Sequence, residues 1–110
     1  MNPIEFSVCS KACMDCSMTC TTCASACLEE SGMEGMMNEC IKRCLECADI
    51  CVLCARTDLR GSAFFSEICS LCADICEYCA AECSKHTSTH CQQCAEACQR
   101  CALECRKMAV

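Results

Sequence analysis

Large apolar side chains are scarce in this sequence. Leu, Ile, Val and Phe together make up 17 of its 110 residues. That share is about 15%, below the ~20% under which a charged chain is usually disordered. Trp is absent and Tyr occurs once. A conventional aliphatic and aromatic core is therefore excluded, and the chain can fold only if another kind of residue fills its interior.

Other missing features narrow the class of protein. No run approaches the ~18 apolar residues of a membrane span, and the first six residues lack the basic start and apolar stretch of a secretory signal. The net charge is −6 with both signs interspersed, whereas nucleic-acid-binding proteins carry a basic patch. We therefore expect a cytoplasmic protein that binds neither membranes nor nucleic acid, and whose thiols stay reduced.

Cysteine is abundant instead, with 21 residues in four runs. Within each run the spacing alternates between three and four residues, which is the heptad seam of an α-helix. Free Cys can be buried as a small hydrophobe, so the runs predict four helices with inward-facing sulfur stripes. The runs are Cys9, Cys13, Cys16, Cys20, Cys23 and Cys27; Cys40, Cys44, Cys47, Cys51 and Cys54; Cys69, Cys72, Cys76, Cys79 and Cys83; and Cys91, Cys94, Cys98, Cys101 and Cys105.

The first two helices have visible start signals. Asn2 can cap helix 1 and Pro3 suits its first position, and the periodic pattern runs to about Glu30. We expect helix 2 to begin between Met33 and Met37 and to end near Thr57.

The second pair of helices follows the same logic. Ser62 is the predicted cap of helix 3, which ends near Lys85, and Thr87 or Ser88 is the predicted cap of helix 4, which ends near Lys107. Because every connection is short, consecutive helices should be antiparallel neighbours. Residues 1–110 are thus predicted to form one domain, an all-α, up-down-up-down four-helix bundle with a Cys-lined core.

Structural roles explain the cysteines poorly. Cysteines three or four apart on a helix have β-carbons ~5–6 Å apart, whereas a disulfide needs ~3.8 Å. Packing alone would favour Leu or Ile, which fill space better. Metal binding is the remaining interpretation.

Charge decides between the metals that thiolates prefer. Four thiolates around Zn²⁺ leave two negative charges, so five such sites would bury about ten charges without a basic partner. Iron–sulfur clusters are usually held by cysteines on irregular loops. Cu(I) replaces one thiol proton and leaves the core neutral. We therefore expect a Cu(I) store with roughly one ion per cysteine, the alternative being a metallothionein-like zinc or cadmium detoxification protein.

Catalysis is not expected. A thiol redox reservoir or a copper-dependent oxidase would be the competing classes, but Tyr78 is the only Tyr and the two histidines match no recognised catalytic arrangement. The expected partners are carriers or small chelators that deliver and remove copper.

The two ends of the predicted bundle differ in composition. One end collects neutral thioether and imidazole ligands, which hold Cu(I) more weakly than thiolates and suit an entrance and exit port. Gap-filling by flexible Met and helix capping by solvated His are the simpler interpretations. These residues are Met33, Met36, Met37, His86 and His90. The other end is predicted to carry a plug formed by Phe6, Phe64, Phe65 and Met108.

Larger apolar residues flank the sulfur stripes. They either close the corners of the bundle or form a subunit interface, and both roles are compatible. Met14 and Met18 point away from the stripe and are expected at the surface or in an interface. The flanking residues are Ile41, Leu45, Ala48, Val52 and Ala55 in helix 2, and Phe64, Ile68, Leu71 and Ile75 in helix 3.

The sequence resembles the cytosolic bacterial copper storage proteins over essentially its whole length. The resemblance implies a four-helix bundle with many Cu(I) ions on inward cysteines, His and Met at the open end, and a homotetramer. The exported branch of that family carries a signal peptide, which is not visible here. The resemblance is carried by Cys47-Ala48-Asp49-Ile50-Cys51, by Ile68-Cys69-x-Leu71-Cys72-Ala73-Asp74-Ile75-Cys76-Glu77-x-Cys79, and by Glu82-Cys83-x-Lys85-His86-x-x-x-His90-Cys91-x-x-Cys94-Ala95-x-Ala97-Cys98.

Overall fold

Four helices make up most of the computed structural model, which describes residues 4–30 and 35–109. They are α1 (Val8–Glu29), α2 (Asn38–Leu59), α3 (Phe65–Cys83) and α4 (Thr89–Met108). No strand occurs within the described ranges. The predicted all-α fold is confirmed.

Each helix packs against two neighbours. The backbone of helix α1 lies close to those of α2 and α4, and that of α3 lies close to the same two helices. Across the diagonal, α2 and α4 meet through cysteine sulfurs such as Cys44 and Cys94, 3.6 Å apart. This is the square arrangement of an up-down-up-down bundle, in which sequential helices are antiparallel because the connections are short.

The start of α1 differs from the sequence-based prediction. The residues just before Val8 are not helical, and Ser7 is the N-cap, its Oγ accepting a hydrogen bond of 2.9 Å from the backbone N–H of Ser10. The predicted cap residues, Asn2 and Pro3, lie outside the described residues. Ser7 is the better placed cap, because its hydroxyl satisfies a backbone donor of the first turn directly.

The other boundaries shift by a few residues. Helix α2 begins at Asn38, just after Gly35, whose φ of 80° reverses the chain in a left-handed conformation. Ser62 does not cap α3: its Oγ accepts from the Phe64 N–H (3.1 Å) in a turn before the helix, and Phe64 takes the N-cap position. Ser88, one of the two predicted residues, takes the N-cap position of α4, but its side chain makes no capping hydrogen bond within the described residues.

The core consists of sulfur and small residues. All 21 cysteines are buried: Cys9 is 4% exposed and every other cysteine is fully buried. Alanines such as Ala73 and Ala102 fill the seams between helices. The larger flanking residues stay partly outside, with Leu71 51% exposed. The chain therefore folds around a thin sulfur core, as the scarcity of large apolar residues indicates.

Polar contacts close the seam between α1 and α2. The hydroxyls of Ser7 and Ser10 both donate to Oδ2 of Asp58, over 2.5 and 2.6 Å. About two helical turns further along α1, the buried Ser17 hydroxyl donates to the Ala48 carbonyl over 3.0 Å. These bonds hold α1 in register against α2.

Arginines close two further seams. Between α2 and α3, Arg43 donates to the Tyr78 carbonyl (2.9 Å) and stacks 3.5 Å above the centre of its ring. Between α3 and α4, Arg106 binds Asp74 (2.6 Å) and Glu77 (2.9 Å). Both arginines fix the lateral spacing of neighbouring helices.

A seam alanine tests how tightly this thin core is packed. Ala73 is fully buried in α3, so Ala73→Leu should force the helices apart and lower the free energy of unfolding by about 1–3 kcal/mol. Chemical denaturation of the reduced protein without added metal measures this change. Ala81→Leu, on the exposed face of the same helix, is the matched control, and equal stability of both variants would contradict close packing.

Candidate metal centre

The sulfur atoms form one continuous network. Because all four helices present cysteines with the same heptad rhythm, stripes from neighbouring helices meet in layers. Contacts between helices include Cys20 to Cys94 and Cys40 to Cys83, both with Sγ atoms 3.5 Å apart. Neighbours on one helix lie slightly further apart, as with Cys47 and Cys51 at 4.0 Å. The interior is thus lined by closely spaced soft donors.

These sulfurs group into sets of four that share members. In each set all Sγ atoms lie within 4.8 Å of one another, and every cysteine involved is buried. Cys20 and Cys98 belong to two such sets. A sulfur shared by two sets can bridge two ions, so neighbouring ions would be linked through common ligands. The sets include Cys16, Cys20, Cys47 and Cys98; and Cys20, Cys79, Cys94 and Cys98.

All 21 cysteines are free thiols. Even the shortest Sγ–Sγ contacts of 3.5 Å far exceed the ~2.05 Å of a disulfide bond. The geometry agrees with the expectation that the spacing does not serve a disulfide framework.

Burial keeps the outer thiols of the network protonated. Removal from water, together with the neighbouring Cys40 sulfur, raises the pKa of Cys27 to about 12. Removal from water and the neighbouring Cys54 sulfur raise the pKa of Cys69 to about 12. A metal ion must therefore displace these protons, and a monovalent soft ion does so without adding net charge to the core.

His90 joins the network through its ring nitrogen. Its Nδ1 lies 3.3 Å from Cys23 Sγ and 3.5 Å from Cys91 Sγ, while its Nε2 lies 2.7 Å from Glu30 Oε1. A carboxylate can only accept, so Nε2–H donates to Glu30, and in the neutral ring Nδ1 then turns its lone pair to the two thiols. A carboxylate–histidine pair of this kind commonly orients a metal ligand.

His86 lies in a different environment. Its Nε2 is 2.8 Å from the carboxylate of Glu82, which is only 8% exposed. The hydrogen bond to His86 lowers the pKa of Glu82, although burial opposes this. With Met36 and Met37, His86 lines a cavity of about 520 Å³ at the end of the bundle. Met33, grouped with them from the sequence, lies outside the described residues.

The four residues expected to plug the opposite end do not act together. Phe65 packs against the sulfur core. Phe6, Phe64 and Met108 are instead exposed, with Phe64 63% accessible. The sequence correctly placed all four residues near helix termini at one end of the bundle. A position at that end does not determine which side chains turn inward.

Two acidic residues of the site are absent from the sequence-based prediction. Glu82 could have been found, because it stands four residues before His86, a spacing that brings side chains together on a helix. Glu30 could not, because it meets His90 only through the packing of α1 against α4, 60 residues apart in sequence.

Comparison with known proteins gives this geometry a family context. The family model described as "Csp: Copper storage protein" matches residues 3–110. YhjQ of Bacillus subtilis, described as an uncharacterized cysteine-rich protein, is 50% identical over 82 residues, which cover 74% of this chain and 75% of the relative.

Two solved structures are similar over almost their full length. The Cu(I)-bound copper storage protein BsCsp3 is 50% identical, with a TM-score of 0.88, over 93% of this chain and 95% of that chain. A cytosolic copper storage protein from Streptomyces lividans, in a structure with five coppers, is 33% identical, with a TM-score of 0.85, over 91% and 88%. Both share the fold described above.

The raised thiol pKa values predict how copper-free protein responds to alkali. An unfolded thiol has a pKa near 9.0, and burial raises the pKa of Cys27 and of Cys69 in the folded protein to about 12. Their contribution to stability is complete below pH 9.0 and should be lost as the pH rises towards 12, since the unfolded state releases protons first.

Urea denaturation under reducing conditions at about pH 8 and about pH 11 measures this loss. The double variant Cys27→Ala, Cys69→Ala should lose less stability over the same interval than the parent protein. An equal loss in both proteins would show that other groups cause the alkaline response.

Proposed function

This chain belongs to the copper storage protein family, and from that premise we propose that it stores copper as Cu(I) on its core thiolates. The capacity is roughly one ion per cysteine, because each ion replaces one thiol proton. The protein works in the cytoplasm, as its Streptomyces relative does, and residues 1–110 act as a single copper-binding domain. Copper arrives from and returns to carriers or small chelators.

One observation carries this proposal: 21 buried thiols in mutual contact, with no basic side chain among the buried residues that the structure describes. Isolated sites would need fewer cysteines and more space between them. The shared sets of four instead suit a monovalent ion with bridging sulfur ligands. All the cysteines of the four runs are therefore assigned as metal ligands.

A zinc or cadmium store of the metallothionein type is less well supported. Each divalent ion held by four thiolates leaves two uncompensated negative charges. In a fully buried core without cations, those charges have no partner and are costly to keep. Sharing sulfurs between sets lowers that cost only in part.

We propose that the protein has no catalytic turnover. A redox or oxidase role would need a site where an ion and a substrate meet. Both histidines are instead held by carboxylates at one end of the bundle, and Tyr78 packs against Arg43 on the outside.

Among the helices that the structure describes, none is long and apolar enough to cross a membrane.

The histidines and methionines at one end are proposed as transfer ligands. His86 shares its cavity with Met36 and Met37, and His90 contacts the thiols directly. Met33 precedes Met36 in the same connection and is assigned the same role. Imidazole and thioether bind Cu(I) without a negative charge, so an ion can pass on to the thiolates.

The outer surface supports the proposed homotetramer. A groove of about 530 Å³ between α1 and α2 is lined largely by apolar side chains, among them Phe6, Met14, Val52 and Leu59. A monomer rarely leaves a large apolar patch uncovered. Further copies of this chain are the proposed cover.

Removing core thiols tests the assignment of copper to the cysteines. Replacing Cys72, Cys76 and Cys79 by Ala should lower the saturating Cu(I) content by about three ions, since roughly one ion accompanies each sulfur. Titration of the reduced protein against a strong Cu(I) chelator measures the content. Ser25→Ala, on the outer face of α1, should bind as much as the parent.

The same titration separates copper from zinc. A Cu(I) store saturates near one ion per thiol, whereas tetrahedral zinc sites saturate near one ion per three or four thiols. Two outcomes would contradict a store built from shared sites. One is that the parent protein takes up only one Cu(I) per three or four thiols. The other is that a single substitution abolishes all binding.

A further inference from the structure

One thiol at the end of the bundle opposite to the histidines reaches the surface. All 21 cysteines lie in the described ranges, and among them Cys9 alone keeps an accessible area, 4% of its surface, whereas the others are fully buried. Cys9 lies in the first turn of α1. It is therefore the sulfur that a small solute can approach with the least movement of the protein.

Cys9 belongs to a set of four thiols at this end. Its Sγ lies 3.9 Å from that of Cys105, and these two sulfurs and those of Cys13 and Cys54 all lie within 4.8 Å of one another. Cys105 lies in turn 4.0 Å from Cys101, which continues the network inward. An ion bound at Cys9 is thus one ligand exchange away from the rest of the core.

The apolar side chains at this end cover Cys9 incompletely. Val8, Phe64 and Met108 are all exposed. Phe65 packs against the sulfur core, but it does so at the start of α3. The side chains predicted to plug this end therefore leave the start of α1 accessible.

A carboxylate from the neighbouring helix holds the first turn of α1 in place. The hydroxyls of Ser7 and Ser10 donate to Oδ2 of Asp58 over 2.5 and 2.6 Å, and Cys9 lies between the two serines in sequence. Helix α1 has no acidic residue in its own first turn, so Asp58 supplies the negative charge that a helix N-terminus favours. We call these two hydrogen bonds the Asp58 latch.

Opening of this turn would expose Cys9 without unfolding the bundle. The backbone N–H groups of a first helical turn have no partners within the helix. Such terminal turns open locally at a much smaller cost in free energy than the whole domain. The latch therefore sets how often Cys9 is turned out to solvent.

We propose that Cys9 is a second exchange site for Cu(I), at which small thiols pass the ion directly to the core, and that the Asp58 latch limits its exposure. The inference rests on the proposed storage function. It adds the class of carrier, a low-molecular-weight thiolate, and a place of exchange. Asp58 is a positioning residue, because it acts on Cys9 only through the two serines.

The exchange involves no oxidation or reduction. When the first turn opens, the Cys9 sulfur binds the ion while one sulfur of the carrier leaves, so one Cu–S bond forms and one breaks. The thiol proton of Cys9 passes to the departing carrier thiolate, and the core gains no net charge. Thiolates are soft ligands that Cu(I) prefers, so the ion stays bound to sulfur throughout.

Alkylation tests the exposure of Cys9. The reduced protein without added metal is treated briefly with iodoacetamide, and peptide mass spectrometry gives the rate of reaction at each cysteine. We expect Cys9 to react first and Cys27, the last thiol of α1 at the other end, to react more slowly. Asp58→Ala should raise the rate at Cys9 at least about tenfold, the contribution of one hydrogen bond to a charged group, and leave the rate at Cys27 unchanged.

Two further variants sharpen this comparison. Asp49→Ala removes the same side chain from the exposed face of α2 and should match the parent protein. Ser10→Ala removes one of the two hydrogen bonds of the latch and should give a smaller rise at Cys9 than Asp58→Ala. Circular dichroism confirms that each variant is folded; if Asp58→Ala is not, Ser10→Ala decides.

Copper uptake tests the role of Cys9 in exchange. Stopped-flow ultraviolet absorbance of the copper–thiolate bands follows uptake from a Cu(I)–glutathione complex. Asp58→Ala should speed uptake, by up to about tenfold if opening of the turn limits the rate. Adding Cys9→Ala to this variant should remove the gain.

Equal rates of alkylation at Cys9 and Cys27 in the parent protein would overturn this exchange site. A uniform rise at all thiols in Asp58→Ala, or a gain in uptake that survives the loss of Cys9, would overturn it as well. Failure of storage itself reads differently, because the parent protein would then saturate far below one ion per thiol whatever its rate of uptake.

Discussion

Charge neutrality of the buried sulfur is the constraint on which the rest of this structure depends. Within residues 4–30 and 35–109, the core offers no cation to balance a thiolate. Burial accordingly raises the pKa of thiols such as Cys27 and Cys69. A folded, copper-free protein therefore carries protons where a loaded one carries ions. The exchange of one positive charge for another adds no net charge to the core. The same neutrality explains why many ions can share so small a volume.

The inward face of every helix could be predicted from spacing alone. Spacings that alternate between three and four residues place all the thiols of a run on one face of its helix. The burial of residues as far apart as Cys13 and Cys105 follows from this periodicity. The start of α1 could not be predicted in the same way. Asn2 and Ser7 are both good cap residues, and Ser7 is additionally bound to Asp58, 51 residues away.

The histidines show where the sequence misleads about the site. Sequence analysis places His86 and His90 around the turn between helices 3 and 4 and assigns both to one port. The chain leaves α3 at Cys83 and enters α4 only at Thr89, however, so the turn between them separates the two rings. His86 lines the end cavity, whereas His90 contacts the thiols of Cys23 and Cys91. Only the packing of α1 against α4 decides this, and no local pattern encodes it.

The unbroken contact between sulfurs has a consequence for where an ion resides. Steps of 3.5–4.0 Å lead from Cys9 through Cys105, Cys101 and Cys51 towards Cys20 and on to Cys27. A bound ion can thus move along this uninterrupted series of sulfurs by exchanging one thiolate ligand at a time. The final distribution of ions is then set by the equilibrium between neighbouring sulfur sites. The position that an ion finally occupies therefore does not depend on the site at which it entered the protein.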